Sequence, residues 1–292
     1  MENAKINRPP HQLWIYYEWE SQTYMKTGVK SIIDDQFNYT ITVRRDSDIW
    51  APYGTFRKLQ NPRAESRNLS AIFQNKTMEA MWLVTHGNTP SKRELVAKRL
   101  AANGFNISVF GNPKAFNWAN VITRNVSDLP NYCRKVDFNS PESCNDKIAE
   151  RFKFYLSFEN SLCKDYVTEK LYNFLKYGTI IPVVYNAADM RFFAPPNSFI
   201  NVADFSNTEE LAAYLHEVAN NETLYTNYLK WYTDYDIEES FYGTSYTKHF
   251  CTLCEQLTTG TNSKKSYQSV SKWYHTDQCF SSNPNYTLNV VV

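Results

Sequence analysis

The sequence predicts an α/β protein whose second half folds around a parallel sheet covered by helices. Short apolar runs rich in β-branched and aromatic residues are typical of strands. They occur at 13–17, 39–43, 81–85, 107–110, 154–158, 179–185 and 199–202. From residue 81 onward the predicted strands alternate with helical patterns at the spacing of right-handed crossover units. This alternation indicates a Rossmann-like parallel sheet with helices on both faces.

Helices are predicted where a capping residue precedes a helical apolar period and a stop signal follows. Ser91 and Glu94 have the spacing of a capping box, and Gly104 provides a left-handed stop near the end of that helix. Two further helices have their end signals at Thr168 and Gly178, and at Ser206 or Asn207. These helices fit the crossover connections of the predicted sheet.

The chain divides into two unequal domains and a tail. Residues 1–77 are predicted to form a partial N-terminal domain, 78–257 a second domain, and 258–292 a polar, loosely attached tail. The segment 112–150 contains prolines and two cysteines and predicts a long, cysteine-stapled excursion. Only about 75 residues precede the strand near residue 81, fewer than the ~100–150 of a typical domain. We therefore expect the N-terminal domain to be truncated.

Charge excludes some classes of partner. The chain has 31 Lys and Arg residues against 30 Asp and Glu residues. No cationic excess favours binding to nucleic acid or to an acidic membrane. The first residues have no signal-peptide pattern, and no apolar run of about 18 residues occurs. An anionic ligand would have to be held by a few well-placed cations.

Sequons and cysteines point to the secretory pathway. Candidate glycosylation sites are Asn38, Asn68, Asn75, Asn106, Asn125, Asn221 and Asn285. The cysteines, whose pairing the sequence does not specify, are Cys133, Cys144, Cys163, Cys251, Cys254 and Cys279. An even count is compatible with disulfides in an oxidising compartment. The C-x-x-C pair could instead be half of a zinc site or a redox pair, although no second ligand pair follows it.

The densest set of polar and charged groups lies at 157–170. A predicted strand ends there, and a loop then leads into a helix. Its candidate binding residues are Glu159, Asn160, Ser161, Tyr166, Glu169 and Lys170. In an open parallel sheet, ligands bind beyond the carboxyl ends of the strands, and a helix N-terminus favours phosphate. Spacing alone leaves open that these are ordinary solvated residues at a helix start. No glycine-rich phosphate loop is present.

Ordered motifs along the chain carry a family resemblance. They are FYLSFENS, DYVTEKLYN, IPVVY and FINVADF, preceded by NYTITVRRDSDIWAPYGTF and AMWLVTHG and followed by FCTLCEQL. From about residue 13 to residue 257 the chain resembles glycosyltransferase family 10, the α1,3/4-fucosyltransferases. The resemblance implies a GT-B fold of two facing Rossmann-like domains. The C-terminal domain would hold GDP-fucose, and the acceptor would approach from the N-terminal one.

The resemblance also implies roles for residues of the donor domain. Arg93 and Lys170 would pair with the diphosphate of GDP-fucose, whereas Asn160, Tyr166 and Glu169 would contact the nucleotide and sugar. Cations aimed at the departing GDP stabilise the transition state without a metal. Taken alone, Arg93 is interpreted as a solvated charge near a helix start, and Tyr166 as able to stack on a base or bond to it.

The catalytic base is predicted in the N-terminal domain. The family resemblance implies a single displacement with inversion, which needs one base to take the acceptor hydroxyl proton. The matching segment is WIYYEWESQTY, and its carboxylate by position is Glu20. Gln22 stands where many relatives have a proline. Glu18, two residues before Glu20 on the same strand face, remains the alternative.

The triplet Asp46-Ser47-Asp48 spells a D-x-D motif, which chelates manganese in a different glycosyltransferase fold. Here it lies in a block that resembles the N-terminal domain of family 10. We therefore predict an ion-pair and acceptor-side cluster of Arg44, Arg45, Asp46 and Asp48, with metal binding as the alternative. No obligate cofactor is expected, although a divalent cation such as Mn could stimulate the reaction. His86, His216 and His249 lack ligand-like spacing.

The combined prediction is an inverting α1,3-fucosyltransferase that moves L-fucose from GDP-fucose to N-acetylglucosamine of glycoprotein or glycolipid glycans. Core α1,3-fucosylation of N-glycans and a non-catalytic nucleotide-sugar-binding relative are the alternatives. The D-S-D-I and P-Y-G spellings favour the outer-chain type. Family resemblance further implies a full-length form anchored as a single-pass type II membrane protein with its catalytic part in the Golgi lumen.

Overall fold

The computed structural model describes residues 9, 11–24, 35–64, 67–111, 142–240, 247–259, 266–276 and 278–280. Their strands are β1 (Ile15–Glu18), β2 (Tyr39–Thr42), β3 (Ile49–Trp50), β4 (Gly54–Lys58), β5 (Met78–Val84), β6 (Ile107–Gly111), β7 (Phe152–Phe158), β8 (Ile181–Tyr185), β9 (Ile200–Asn201) and β10 (Tyr235–Glu239). Their α-helices are α1 (Leu69–Gln74), α2 (Arg93–Ala102), α3 (Glu142–Arg151), α4 (Glu169–Leu175), α5 (Thr208–Asn220), α6 (Glu222–Asn227), α7 (Lys248–Thr258) and α8 (Val270–His275). Within this part of the chain, no helix is both long and apolar enough to span a bilayer.

The larger sheet has the order β6-β5-β7-β8-β9, and all its strand pairs are parallel. The predicted Rossmann-like sheet is confirmed. Along β7, Phe154 packs with α2 and α5 on one face, and Tyr155 packs with α3 and α4 on the other. Helices on both faces explain why these strands are almost continuously apolar. Each strand predicted from the sequence is present, with its ends shifted by a few residues.

The N-terminal residues form a smaller parallel sheet with the order β1-β2-β3. Its buried Ile41 and Val43 belong to the same core cluster as Tyr166 and Leu171, which lie before and within α4. The two sheets are therefore joined by a common apolar core. This core crosses the predicted boundary between 1–77 and 78–257.

An antiparallel pair of β4 and β10 was not predicted. The sequence of β10, YDIEE, lacks the apolar run by which the other strands were found. Arg57 on β4 makes ion pairs with Asp236 at 2.8 Å and Glu238 at 2.9 Å across the pair. Opposite charges facing each other across strands therefore support this pairing where apolar contacts are few.

The predicted capping box of α2 is wrong. The helix begins at Arg93 after Lys92, which has a left-handed φ of 53° and no side-chain cap. Ser91 donates its hydroxyl to the Glu159 carbonyl at 2.7 Å, and its oxygen accepts the Arg93 N–H at 3.3 Å. The Ser91 hydroxyl, which the local pattern assigns to the helix cap, thus donates to a distant part of the chain. Thr168 and Asn207 do cap α4 and α5, as predicted.

The prediction of a loosely attached tail is wrong for residues 266–276 and 278–280. Val270 and Tyr274 of α8 are fully buried, and the Tyr274 ring packs on Tyr16 of β1 with centroids 5.5 Å apart. Cys279 forms a disulfide with Cys163 beside α4. The polar composition near residue 260 concealed the aromatic residues that follow it. Of the predicted excursion 112–150, residues 112–141 lie outside the described part, and α3 forms most of the remainder.

Lys76 predicts a pH dependence of stability. The side chain is buried against α3, its ammonium donates to the Ala149 carbonyl, and burial lowers its pKa from 10.5 to about 7, although Glu150 opposes the shift. Between these values the unfolded chain binds more protons, so the free energy of unfolding rises with pH from about 7 to about 10. Lys76→Met should remove this rise and stabilise the protein at pH 7. Urea unfolding at pH 7 to 10 measures both effects. Equal slopes in the variant and the parent would contradict the assignment.

Candidate functional site

The candidate site lies at the carboxyl edge of the larger sheet. There β5, β7 and β8 end at Val84, Phe158 and Tyr185. The loop after β7 begins with Glu159 and leads to α4, whose N-terminus faces the same edge. Ligands of open parallel sheets bind at this edge, and a helix N-terminus there favours anions.

Glu159 and Lys170 form a buried ion pair at 3.1 Å. Glu159 is 1% exposed and also accepts the backbone N–H and hydroxyl of Thr168 at 2.8 and 2.9 Å. Burial alone would lower the pKa of Lys170, but Glu159 and Glu169 raise it above its ordinary value. Lys170 is therefore a charged ammonium at the start of α4. The interpretation of Glu159 and Lys170 as solvated is wrong, and the predicted donor contact of Glu159 stays a prediction.

Arg93 is a second buried cation at this edge. Its guanidinium donates to the Phe158 carbonyl at 2.7 Å and to the His86 carbonyl at 3.1 Å, and so joins the ends of β7 and β5. It is 3% exposed, so the interpretation as a solvated charge is wrong. Burial lowers its pKa, and Glu159 opposes the shift. The buried Nε–H has no partner within the described residues. A ligand oxygen at this edge would supply the missing acceptor.

The loop of Asn160 and Ser161 serves two purposes. The Asn160 side-chain oxygen is buried without a partner in the described part of the chain, as is the Arg93 Nε. Ser161 is fully buried, and its hydroxyl lies 2.9 Å from that of Ser21 and 2.6 Å from that of Thr23. The predicted donor contact of Ser161 is thus corrected to a contact between the two sheets.

Glu20 is the N-terminal carboxylate that reaches this edge. It is exposed, and its Oε1 accepts the Tyr166 hydroxyl at 2.7 Å. Glu18 accepts the N–H groups of Trp19 and Glu20, and Glu20 likewise accepts the N–H of Ser21 at 2.9 Å. The bond from Tyr166, which lies beside α4, is what favours Glu20 over Glu18. The Tyr166 ring is 1% exposed in the core, so its predicted stacking on a base is wrong, and only the hydroxyl reaches the cleft.

Tyr24 lies in the same cleft and was missed by sequence reasoning. Its side chain is exposed, and its pKa is raised, first by burial and then by Glu20 and Glu94, while Arg93 and Lys170 lower it. Charged groups from both parts of the chain therefore act on this one phenol. Only the fold brings these residues together, so no local pattern could have identified Tyr24.

Residues 266–276 and 278–280 support the loop that carries Glu20. Tyr274 donates its hydroxyl to the Glu20 carbonyl at 2.9 Å, and His275 Nδ1 lies 2.8 Å from the Gln22 carbonyl. Backbone bonds also join Lys164 to Gln278. These contacts fix the backbone on which the predicted base is mounted. No local sequence pattern indicates these contacts.

Loss of the Cys163–Cys279 disulfide should weaken this support. Cys279→Ser removes a cross-link between residues 116 positions apart. The free energy of unfolding is expected to fall by about 2–4 kcal/mol. Urea unfolding measures the loss. Cys254→Ser, which changes an exposed free thiol, is the control and should have no effect. Equal stability of the two variants would show that the cross-link contributes nothing.

Both carboxylates of the D-x-D motif make contacts within the chain. Arg44 donates to Asp46 at 2.8 Å, and Lys164 reaches the same carboxylate at 3.1 Å, so the predicted ion pairing is present. Partial burial would raise the Asp46 pKa, but Arg44 and Lys164 lower it below its ordinary value. Asp48 accepts from Thr40 and from the Tyr267 hydroxyl. The described residues contain no group of three side chains suited to a metal ion.

Arg45 adjoins this cluster. Its guanidinium stacks on the Phe192 ring, and its backbone N–H donates to Asp165 at 3.1 Å. The side chain thus extends from the smaller sheet toward the loop after β8. An acceptor-side role for Arg45, Asp46 and Asp48 remains a prediction.

The cysteine prediction needs correction. Cys163 and Cys279 are paired, and Cys144 is also disulfide-bonded. Cys251 and Cys254 are exposed free thiols on α7, so their predicted disulfides are absent from the structure. The other cysteines of the described residues are already paired and offer them no partner. Cys133 lies outside the described residues.

The sequons differ in accessibility. Asn38 is 7% exposed, and its side-chain oxygen accepts the Trp14 N–H, so its predicted glycosylation is wrong for the folded chain. The Asn106 amide donates to Glu79 at 2.7 Å and is half-buried. Accessible sequons are at Asn68, Asn75 and Asn221. Those at Asn125 and Asn285 lie outside the described residues.

The chain has two parallel sheets with helices, joined near buried cations and an exposed carboxylate. This arrangement is a glycosyltransferase fold of the GT-B type. The chain belongs to glycosyltransferase family 10 (fucosyltransferase). The model of the family's C-terminal region matches residues 73–273, and the fucosyltransferase N-terminal model matches residues 1–54.

Named relatives agree with this membership. The chain is 33% identical over 282 residues to alpha-(1,3)-fucosyltransferase fut-6 of Caenorhabditis elegans. The match covers 95% of this chain and 66% of that protein. It is 34% identical over 271 residues to 4-galactosyl-N-acetylglucosaminide 3-alpha-L-fucosyltransferase 9 of Bos taurus, covering 91% of this chain and 65% of the relative. The chain thus spans about two thirds of the length of these relatives.

A solved structure supports the fold. The crystal structure of an alpha1,3-fucosyltransferase with GDP-fucose superimposes with a TM-score of 0.52 at 18% sequence identity. The match covers 92% of this chain and 78% of the other. At this identity the likeness concerns the fold alone.

Proposed function

We propose that the chain is the catalytic part of an inverting α1,3-fucosyltransferase that moves L-fucose from GDP-fucose to N-acetylglucosamine of glycans. The observation that carries this proposal is that Glu20, which follows β1, bonds to Tyr166 and acts on the same phenol, Tyr24, as Arg93 and Lys170 of the larger domain. A carboxylate able to take a proton then faces cations able to receive a departing diphosphate. Relatives named for this activity support the assignment.

The donor half of the reaction depends on the two cations. Bond breaking between fucose C1 and the diphosphate oxygen leaves negative charge on GDP. Lys170 is held charged by its buried partner, and the unpartnered Arg93 Nε–H is available to a phosphate oxygen. Fixed donors that meet developing charge lower the barrier without reorganisation. Asn160 and Glu169 are the proposed polar contacts of the nucleotide and sugar.

The acceptor half depends on Glu20. An acceptor hydroxyl gives its proton to the Glu20 carboxylate while its oxygen forms the new bond to fucose C1 from the face opposite GDP. The configuration therefore changes from β in the donor to α in the product. The Tyr166 hydroxyl, 2.7 Å from Glu20, orients this carboxylate.

We propose outer-chain lactosamine as the acceptor rather than the core of N-glycans. The name of the Bos taurus relative specifies a 4-galactosyl-N-acetylglucosaminide, and this supports the choice. A Golgi lumenal location of a membrane-anchored whole protein is part of the proposal. The Cys163–Cys279 disulfide supports an oxidising compartment.

A transfer assay tests the function. The chain is incubated with radiolabelled GDP-fucose and N-acetyllactosamine, and the product is examined by NMR for linkage and anomeric configuration. The proposal expects α-fucose on O3 of N-acetylglucosamine. Binding of GDP without transfer to any glycan acceptor would instead identify a non-catalytic relative.

EDTA should reduce the initial rate of transfer by less than about twofold, because Arg93 and Lys170 already supply positive charge to the leaving group. Added Mn should stimulate the rate by no more than a few-fold. Rates measured before and after chelation check this expectation. Complete loss that Mn restores would favour a metal-dependent reaction through Asp46 and Asp48.

A further inference from the structure

A cation-lined cavity lies far from the proposed transfer site. Arg63, Arg67 and Lys230 line a cavity of about 250 Å³ together with Tyr232. The Arg63 and Arg67 guanidiniums stack on the Tyr232 ring, with their central carbons 4.2 and 4.0 Å from its centroid. No acidic side chain lines this cavity among the described residues. Asp236 pairs with Arg63 at 2.6 Å, so Arg67 and Lys230 are the lining cations left to attract an anion.

Of the two stacked arginines, Arg67 is the one that is not paired with a carboxylate among the described residues. It is half-buried, and within the described part of the chain its N–H groups donate only to the Gly178 and Leu229 carbonyls, at 2.6 and 3.0 Å. Arg63, in contrast, is paired with Asp236 at 2.6 Å. Taking a charge partly out of water is costly unless an opposite charge compensates it. Guanidinium groups suit the planar or tetrahedral oxygens of carboxylates and sulfates.

A second cavity adjoins the first through Lys230. It has a volume of about 560 Å³, within the ~300–1,000 Å³ of small-molecule sites. Its aromatic lining comes from Tyr214, Tyr228, Trp231 and Tyr235, and its polar lining includes Asn197, Asn227 and Asp234. Sugar rings present C–H groups on their faces and hydroxyls at their edges. Aromatic rings interspersed with amides and a carboxylate complement both.

Both cavities lie at the amino edge of the larger sheet. Gly178, which Arg67 contacts, precedes β8, and Asn197 precedes β9. The candidate transfer site lies at the opposite, carboxyl edge. A strand of five residues separates the two edges by roughly 16 Å. A ligand held at the amino edge is therefore distinct from the reacting donor and acceptor groups.

We propose that the two adjoining cavities bind one acidic oligosaccharide, with its sulfate or carboxylate against Arg67 and Lys230 and its neutral sugar against the aromatic lining. This site goes beyond the proposed transferase activity and does not depend on it. It would hold an acidic part of a glycan-bearing substrate away from the point of transfer.

Isothermal titration of the chain with lactose 6-sulfate tests this proposal, with lactose and sodium sulfate as separate arms. The sulfated sugar should bind at least tenfold more tightly than either alone. Arg67→Gln and Lys230→Ala should each weaken it about tenfold. Lys98→Ala, which changes an exposed lysine of α2, should leave this binding unchanged.

Three results would overturn the proposal. Equal binding of lactose and its sulfate would exclude the cationic part. Equal binding of sodium sulfate would identify a simple anion site without a sugar. Unchanged binding in Lys230→Ala, whose exposed side chain makes the variant safe for folding, would place the ligand elsewhere even if Arg67→Gln unfolds. Because binding is measured without GDP-fucose, these outcomes are independent of the transfer assay.

Discussion

Glu20→Gln is expected to lower kcat for fucose transfer by about a thousandfold, within the 10²–10⁴ attributed to general acid–base groups. The amide cannot take the acceptor proton. Its oxygen can still accept the Tyr166 hydroxyl, so the loop should keep its position. Initial rates with saturating donor and acceptor give kcat. Titration with GDP should give an unchanged dissociation constant, because Glu20 faces the acceptor rather than the diphosphate.

Glu18→Gln is the matched control for this variant. Glu18 lies two residues away but accepts backbone N–H groups of its own chain, which an amide oxygen can still do. We expect its kcat to fall by less than about tenfold, since no proton transfer is lost. The assignment of the base would fail if Glu18→Gln lost activity and Glu20→Gln kept it.

Lys170→Met should affect both donor binding and stability. Transfer is expected to fall by about 10²–10³ because a cation at the leaving group is lost. Glu159, 1% exposed, would be left without its countercharge, and breaking such a pair costs about 3 kcal/mol. GDP titration and urea unfolding measure the two effects. Lys176→Met, at the other end of α4, should change neither greatly.

A double variant separates stability from function. Glu159→Gln with Lys170→Met removes both buried charges, so much of the lost stability should return. Transfer should remain as low as in Lys170→Met. Recovery of transfer in the double variant would show that Lys170 acts only by holding the fold.

The sequence was sufficient for the larger sheet because its strands are buried on both faces. Such strands are continuous apolar runs, and the glycines and caps that bound the helices are local signals. The pair of β4 and β10 was missed because charges rather than apolar side chains support it. The tail was misjudged because its attachment depends on Tyr274 and Cys279, whose partners lie far away in the chain.

The candidate site was predicted in position but not in detail. Family motifs identified Arg93, Glu20 and Lys170, yet spacing could not show which side chains are buried. Glu159 and the Tyr166 ring prove to be supporting groups beneath the cleft. Tyr24 had no motif and is recognised only because charged groups from both parts of the chain act on it. Burial and contacts between distant segments are properties of the folded chain, and no local window contains them.

A crystal structure of the chain with GDP-fucose would test directly whether Arg93 and Lys170 hold the donor. We expect diphosphate oxygens within about 3.2 Å of Arg93 Nε and Lys170 Nζ. We also expect an open approach to fucose C1 on the side of Glu20. A nucleotide bound elsewhere, with the Arg93 Nε–H still unpartnered, would exclude this donor site.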